Sequence, residues 1–369
     1  MIGSSGSVSS NTWTSVNVTS YITGNGTYNL GLATTNSTAL SLASRESGAN
    51  APQLVIQTGG SSATSTVTRT PTPTSAGNPT ATRTPTRTPT SAGNPTATPT
   101  QTPTLAATAT GSAGNAVLVG AGDISTCSNN NDEATAKLLD GIAGTVFNAG
   151  DNAYDSGTIT EYTNCYDPTW GRHKSRTKSV PGNHEYQTSG ASGYFQYFNN
   201  PPAYYAYNLG AWRIYALDSE IDTSAGGAQG TWLQSDLAAN PKACVLAYWH
   251  KPRWSSGTTH GSDSGMQAIW QILYNAGADV VINGHEHNYE RFAQMNATGA
   301  TVSQGLREFV VGTGGVGHYS FGSALASSEV RNASTFGVLK MTLHSGSYDW
   351  QFIPIAGSTF TDSGSANCH

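Results

Sequence analysis

The chain has 369 residues, of which 42 are glycine and only 11% are charged, whereas roughly 25% of residues are charged in an average soluble domain. Its net charge of -5, and the absence of any apolar run near the roughly 18 residues that a membrane span needs, disfavour both a basic nucleic-acid-binding protein and a transmembrane protein. The length allows two or three domains.

The first 58 residues predict a small all-β unit. Short runs with alternating apolar and polar side chains are separated by turns rich in glycine and asparagine. Four such strands bury little surface, and the chain begins without the basic and apolar segments of a signal peptide, so we expect a fragment of a larger module. The runs are Trp13 to Val18, Tyr28 to Ala33, Ala39 to Ala43 and Leu54 to Ile56.

Part of this unit resembles a known module. The strings Val16-Asn-Val-Thr-Ser-Tyr-Ile22, Ser44-Arg-Glu-Ser47 and Ala51-Pro-Gln-Leu-Val-Ile56 are similar to the C-terminal half of the DNRLRE-type carbohydrate-binding modules. These modules are β-sandwiches. The resemblance implies a polysaccharide as a possible partner, with the N-terminal half of the sandwich missing.

Residues 59–114 predict a disordered linker. They are almost entirely Thr, Pro, Ser, Ala, Gly and Asn, and the octamer Ser75 to Thr82 recurs as Ser91 to Thr98. Such a segment has no side chains for a core, and its prolines favour extended conformations. We interpret it as a spacer of the kind that separates a catalytic domain from a binding module in extracellular proteins.

Residues 115–369 predict a single α/β domain. Apolar runs at Ala116 to Gly122 and Thr145 to Ala149 flank a helical stripe at Asp132 to Ile142, which is a βαβ unit. Because helix-separated strands are followed by a hairpin, we expect a layered β-sandwich flanked by helices. The other predicted strands are Arg213 to Leu217, Cys244 to Trp249, Asp279 to Asn283 and Glu308 to Val311, the helices are Gln229 to Ala239 and Gly265 to Ala276, and the hairpin pairs Phe336 to Leu343 with Tyr348 to Ile355.

Five short motifs rich in metal-ligand residue types recur along this domain. In open α/β sheets, functional residues collect where strands end. Carboxylates, an amide oxygen and imidazoles together could bind two metal ions, with one carboxylate shared between them. The motifs are Gly122-Asp123, Gly150-Asp151-Asn-Ala-Tyr154, Gly182-Asn183-His184-Glu185, Tyr248-Trp249-His250-Lys-Pro252 and Gly284-His285-Glu286-His287.

Other functional patterns are weaker. Gly312 to Gly317 looks like a phosphate-binding loop, but no Lys-Ser/Thr pair follows it, so we expect a tight turn near the site. The sequence has no Gly-x-Ser-x-Gly motif of a serine hydrolase.

The order of the five motifs resembles that of the calcineurin-like metallophosphoesterases. Three further features are similar to the purple acid phosphatases within that superfamily: Tyr154 three residues after Asp151, the His250-Lys-Pro252 tripeptide, and Tyr289-Glu-Arg291 after the last histidine. The resemblance covers about residues 116 to 355, and it implies the metallophosphoesterase fold.

The resemblance also implies the ligands. Asp123, Asp151, Tyr154 and His287 would bind the first metal ion, which is iron(III) in the purple acid phosphatases. Asp151, Asn183, His250 and His285 would bind the second ion, which is divalent iron, zinc or manganese, so that Asp151 bridges the two.

Two further histidines are implied as catalytic residues. His184 and His260 would hold the phosphate or protonate the leaving group. The family often has a second histidine beside the position of His260, whereas Thr259 and Gly261 stand here. A surface histidine without a catalytic role is therefore the alternative for His260.

The function implied is hydrolysis of phosphate monoesters by direct attack of a metal-bound hydroxide. The alternatives are a phosphodiesterase or nucleotidase that uses the same metals, and an inactive surface protein anchored through carbohydrate. We expect a secreted or cell-surface protein whose partner is a phosphate ester, with no nucleic acid partner.

The four cysteines form no Cys-x-x-Cys pair, which excludes a zinc ribbon and leaves disulfides or free thiols. We predict disulfides between Cys127 and Cys165 and between Cys244 and Cys368. The first would join the loop after Asp123 to the loop after Tyr154, and the second would fix the last residues to a central strand. Export from the cell is compatible with both.

Overall fold

A computed structural model describes residues 115–369 of the chain. The predicted all-β unit at residues 1–58 and the predicted linker at residues 59–114 lie outside the described residues.

The described residues contain fifteen strands. They are β1 (Ala116–Ala121), β2 (Ser125–Thr126), β3 (Thr145–Ala149), β4 (Ala153–Tyr154), β5 (Thr177–Val180), β6 (Tyr205–Leu209), β7 (Trp212–Ala216), β8 (Val245–Tyr248), β9 (Val280–Asn283), β10 (Tyr289–Met295), β11 (Leu306–Val311), β12 (Ser328–Asn332), β13 (Gly337–Leu343), β14 (Ser347–Pro354) and β15 (Asp362–Asn367).

Five α-helices and several shorter helical segments connect these strands. The α-helices are α1 (Asn131–Asp140), α2 (Ile159–Glu161), α3 (Ser192–Tyr197), α4 (Ala228–Ala239) and α5 (Gln267–Asn275). A π-helical turn follows α2 at Tyr162–Tyr166, and 3-10 segments occur at Trp170–Arg176, Glu185–Gln187, Ser189–Ala191 and Ser264–Met266.

Most strands belong to two large mixed sheets. The order in the six-stranded sheet is β15-β14-β13-β1-β3-β5, and the order in the seven-stranded sheet is β12-β10-β11-β9-β8-β7-β6. Strands β1, β3 and β5 are parallel, as are β7, β8, β9 and β11. The short strands β2 and β4 form a separate parallel pair.

The two sheets pack face to face. Phe147 of β3 lies 5.8 Å from Tyr248 of β8 between ring centroids, and Trp212 of β7 lies 5.7 Å from Tyr348 of β14. Helices α4 and α5 cover the outer face of the seven-stranded sheet through apolar residues such as Leu233 and Trp270. These contacts confirm the predicted layered β-sandwich flanked by helices.

The predicted strand and helix positions agree with the observed bounds to within about two residues. Seven strands were not predicted: the short β2 and β4, the central strand β10, and β5, β6, β12 and β15, which are the four edge strands of the two large sheets. Edge strands bury less surface and so show weaker alternation of apolar side chains. The sequence of β15, Asp-Ser-Gly-Ser-Ala-Asn, has almost no apolar content.

Both predicted disulfides are present. Cys127 is bonded to Cys165, with 5.2 Å between their Cα atoms, and Cys244 is bonded to Cys368, with 5.4 Å. No helix in residues 115–369 combines the length and the apolar character that a membrane crossing requires.

Candidate dinuclear metal site

The predicted metal ligands follow the carboxyl ends of parallel strands in both sheets. Asp123 and Asp151 each come two residues after a strand of the six-stranded sheet, β1 and β3. His250 and His285 come two residues after β8 and β9 of the other sheet. Asn183 follows β5. Since the two sheets face each other, these strand ends converge at one edge of the sandwich.

Sharp backbone turns carry three of these side chains. Asp123, Asp151 and His285 have φ angles of 58°, 49° and 71°, in the left-handed region that non-glycine residues rarely occupy. Gly150, the residue before Asp151, has a φ angle of 82°. A Cβ atom at position 150 would lie 2.6 Å from the His250 ring, so only glycine fits there. Such strain at adjacent polar side chains is typical of functional sites.

The four residues predicted for the first metal meet at the Tyr154 hydroxyl. Its Oη atom lies 2.8 Å from Oδ1 of Asp123, 2.9 Å from Oδ2 of Asp151 and 3.1 Å from Nε2 of His287. All four side chains are buried. A hydroxyl has one proton, so it can donate to only one of these three acceptors at a time.

The four residues predicted for the second metal meet at His250. Its Nε2 atom lies 3.1 Å from Oδ2 of Asp151, 3.2 Å from Oδ1 of Asn183 and 3.1 Å from Nδ1 of His285. Because Oδ2 of Asp151 also contacts Tyr154, the same carboxylate belongs to both groups of side chains.

The ligand atoms of these two groups of side chains are suited to bind two cations. Nδ1 of His250 lies 2.9 Å from the carbonyl oxygen of Ala149, to which it donates, so that Nε2 presents a lone pair. That lone pair faces two further acceptors, the carboxylate of Asp151 and the amide oxygen of Asn183. Acceptors that face one another without donors need a cation or an extra proton between them. Carboxylate, amide and imidazole ligands suit borderline and hard metal ions.

Without a metal ion, the close contacts among these side chains shift their pKa values. Burial opposes the charged form of His250, but the adjacent Asp151 outweighs it and raises the pKa of His250 to about 10. Burial and the charges of His250 and His260 lower the pKa of His285 to about 2. Burial and the carboxylates of Asp123 and Asp151 raise the pKa of Tyr154 well above its usual value. The extra proton therefore sits on His250, and Tyr154 stays a neutral phenol until a cation stabilises its anion.

The two predicted catalytic histidines flank this cluster. The ring of His184 packs 4.1 Å from that of Tyr154, and its Nε2 atom lies 3.8 Å from Oδ2 of Asp151. The exposed ring of His260 stacks on that of His285 at 4.0 Å. Both imidazoles are at least partly exposed to solvent, His184 beside the first group of side chains and His260 beside the second.

Two buried carboxylates in the motifs were not predicted as site residues. Glu185 accepts hydrogen bonds from the backbone N–H groups of Asn152, Ala153 and Gly182, which holds the loop of Asp151 against the loop of Asn183. Burial and the nearby Asp151 raise the pKa of Glu185 to about 7. The second carboxylate, Glu286, accepts from the N–H groups of His260 and Gly261, both at 2.6 Å. In the sequence, Glu185 follows His184 and Glu286 lies between His285 and His287. This adjacency to predicted site residues was the only sequence feature that could have indicated their roles.

Tyr319 was also missed. Its ring stacks on that of His287 at 3.9 Å with an interplanar angle of 11°, and it lies 5.6 Å from the ring of His260. It belongs to the loop that follows β11, and this loop contacts the turn after β1, since the N–H of Val316 donates to the carbonyl of Asp123. The predicted tight turn at Gly312 to Gly317 therefore lies beside the site, as expected.

The sequence is similar to those of known families and proteins. Residues 116–289 match the model of the calcineurin-like phosphoesterase family, and residues 1–58 match that of carbohydrate-binding module family 96. Purple acid phosphatase 15 of Arabidopsis thaliana is 31% identical over 145 residues, which are 33% of this chain and 27% of that protein. Acid phosphatase A of Cryphonectria parasitica is 25% identical over 194 residues, which are 44% of this chain and 38% of that protein.

A solved structure shares the fold. The purple acid phosphatase PPD1 from yellow lupin (Lupinus luteus) seeds aligns with a TM-score of 0.58 and 19% identity, over 69% of this chain and 54% of that chain. The two alignments with curated relatives each cover less than two fifths of the relative's own length. Residues 116–289 are therefore similar to the calcineurin-like phosphoesterases, and the described part of the chain shares the fold of a purple acid phosphatase.

Proposed function

We propose that the protein is a dinuclear metal phosphatase that hydrolyses phosphate monoesters. The observation that carries this proposal is the position of Asp151, whose Oδ2 atom contacts both Tyr154 of one group of side chains and His250 of the other. A shared carboxylate between two groups of oxygen and nitrogen donors is the arrangement that two neighbouring metal ions require.

Asp123, Asp151, Tyr154 and His287 would hold iron(III), because anionic oxygen ligands favour a hard trivalent ion. The second group, Asp151, Asn183, His250 and His285, has fewer anionic donors and suits divalent iron, zinc or manganese. When bound, the ions would activate water as the nucleophile and stabilise negative charge on the phosphoryl oxygens.

The two histidines beside the metal ligands would act on the substrate. We propose that His184 and His260 contact the phosphate oxygens, and that one of them donates a proton to the departing alkoxide. His184 is suited to this role because its Nδ1 atom lies 2.5 Å from the carbonyl oxygen of Asp155, so that Nε2 is directed towards the site. His260 is supported by Glu286, which fixes its backbone.

Initial rates on a monoester and a diester, after loading with iron plus zinc or manganese, would test the proposal. We expect the aryl monoester to be hydrolysed at least tenfold faster than the diester of the same phenol. A faster diester reaction would instead support a phosphodiesterase. Protein that binds two metal ions per chain and hydrolyses neither substrate would support an inactive surface protein.

We further propose an extracellular location and attachment to polysaccharide. Two disulfides in residues 115–369 are compatible with an oxidising compartment, and residues 1–58 match a carbohydrate-binding family. Co-sedimentation of the full chain with insoluble polysaccharides, compared with a chain that begins at residue 115, would test attachment. Equal sedimentation of the two would contradict it.

A further inference from the structure

A second cluster of metal-ligand atoms lies at the other end of the sandwich. The sulfur atoms of Cys244 and Cys368 and a carboxylate oxygen of Asp279 all lie within 4.8 Å of one another. Cys244 immediately precedes β8 and Asp279 immediately precedes β9, whereas His250 and His285 follow the carboxyl ends of the same strands. Six residues of extended chain from Cys244 to His250 span roughly 20 Å, so the two clusters are separate.

The carboxylate of Asp279 is completely buried, and hydrogen bonds fix both of its oxygen atoms. Its Oδ2 atom accepts a hydrogen bond from the N–H of Val245 at 2.9 Å. Its Oδ1 atom accepts from the N–H of His369 at 3.0 Å and lies 3.1 Å from Nδ1 of the same residue. Two backbone donors and one imidazole thus orient a carboxylate towards a pair of cysteines. Such support by neighbouring hydrogen bonds is typical of carboxylates that bind metals.

We propose that the reduced form of this cluster is a zinc site, with Cys244, Cys368 and Asp279 as ligands and His369 as the residue that orients Asp279. A dithiol or phosphine reductant supplies two electrons, and two protons complete the cleavage of the disulfide into two thiols. Binding of the zinc ion then displaces both thiol protons and leaves two thiolates. A small-molecule disulfide then accepts two electrons and becomes two thiols, which forms the protein disulfide again and releases the zinc ion.

The donor chemistry selects zinc. Two thiolates and one carboxylate are among the ligands that tetrahedral zinc sites use, with water in the fourth position. This set contrasts with the predicted dinuclear centre, which contains no thiolate. Cys368 is only partly buried, so a reductant can reach the disulfide from its side. Under reducing conditions the zinc ion would then replace the disulfide in holding residues 368 and 369 to β8.

Cobalt(II) titration of the full chain under anaerobic conditions tests this proposal. Cobalt bound to thiolates absorbs in the near ultraviolet by charge transfer, whereas cobalt bound to oxygen and nitrogen ligands lacks this band. After reduction with a phosphine, we expect a thiolate band whose final intensity corresponds to one thiolate-bound cobalt ion per chain, in addition to the cobalt held by the dinuclear site, and which disappears when zinc is added. The oxidised protein should show no such band. Absence of the band in reduced protein would overturn the proposal.

Variants of the two cysteine pairs identify which thiolates produce the cobalt band. The Cys127→Ser/Cys165→Ser variant should keep it, and the Cys244→Ser/Cys368→Ser variant should lose it. His369→Ala should weaken cobalt binding 10- to 100-fold while the band remains, because only the orientation of Asp279 changes. A band that depends on Cys127 and Cys165 would contradict the assignment.

A residue-resolved measurement guards against a variant that fails to fold. Zinc should protect Cys244 and Cys368 of the reduced wild-type protein from alkylation, read by peptide mass spectrometry, at least tenfold more than it protects Cys127 and Cys165. Equal alkylation of all four thiols would also overturn the proposal. Neither readout depends on phosphatase activity.

Discussion

The carboxylate of Asp151 contacts Nε2 of His250 at 3.1 Å, and both side chains are almost completely buried. In the metal-free protein this pair is an ion pair, because the carboxylate attracts the extra proton of the imidazole. A bound cation would take the place of that proton. Removal of either partner should therefore affect metal binding and turnover much more than it affects the fold.

We predict that Asp151→Asn or His250→Ala lowers turnover by several orders of magnitude, because each change removes a ligand from the proposed second metal. Circular dichroism spectra of the metal-free variants should remain close to that of the wild type, although loss of one partner of the buried ion pair lowers their thermal midpoint. The exposed pair of His344 and Asp349 offers a matched control, since His344→Ala should leave turnover unchanged. A near-native rate for Asp151→Asn would remove that residue from the site.

Tyr154 determines a spectroscopic property. A phenolate bound to iron(III) absorbs visible light by charge transfer, so the iron-loaded protein should be pink to purple. Tyr154→Phe should abolish the colour while Asp151, Asn183 and His250 still hold the second ion, and activity need not vanish. Visible spectra and metal analysis of both proteins would check this. A colourless wild-type protein with two bound ions, one of them confirmed as ferric, would show that Tyr154 is not a ligand.

Glu286 should act through the position of His260. One carboxylate oxygen, Oε1, accepts from the N–H groups of His260 and Gly261, whereas Oε2 has no hydrogen-bond partner in the described part of the chain. Glutamine can keep the bonded oxygen, but alanine cannot. We predict that Glu286→Ala lowers kcat/KM by about 10- to 100-fold and that Glu286→Gln retains most of it, with two metals bound in both. Equal losses in the two variants would exclude this positioning role.

Asp218, beside the site at the end of β7, should make stability depend on pH. Burial raises the pKa of Asp218 from 3.8 to about 6, against the opposing hydrogen bonds from Tyr186 and from the N–H of Glu220. Between these two pKa values the folded state binds more protons than the unfolded state, so the free energy of unfolding falls as pH rises through this window. Ionisation of Asp218 lowers the free energy of unfolding by at most about 3 kcal/mol across this window.

Asp218→Asn removes this contribution. We predict that the variant gains stability relative to the wild type between pH 4 and pH 7, measured by denaturant unfolding of the metal-free protein. Asp349→Asn changes an exposed residue and should leave the free energy of unfolding close to that of the wild type at both pH 4 and pH 7. A constant stability difference between Asp218→Asn and the wild type would show that Asp218 ionises normally in the folded protein.

The sequence allowed prediction of most of the central strands, β10 excepted, and of the residues that follow them. Runs such as Val245 to Tyr248 are wholly buried, so their apolar character is strong, and the polar residue after each run stands out. The edge strands could not be predicted in this way because their side chains alternate only weakly. The roles of Glu185 and Glu286 were also inaccessible, because they depend on loops distant in sequence. Glu286, for example, binds backbone groups 25 and 26 residues away.

The left-handed backbone at Asp123, Asp151 and His285 has a consequence for how the protein could change over time. Glycine adopts such φ angles without strain, whereas each of these residues costs of order 1 kcal/mol or more. Replacement of one of them by glycine would thus relax the chain while it removes a proposed ligand. A lineage released from selection for catalysis could accordingly gain stability by losing its site, and the presence of all three strained residues here is a feature that selection for stability alone would not maintain.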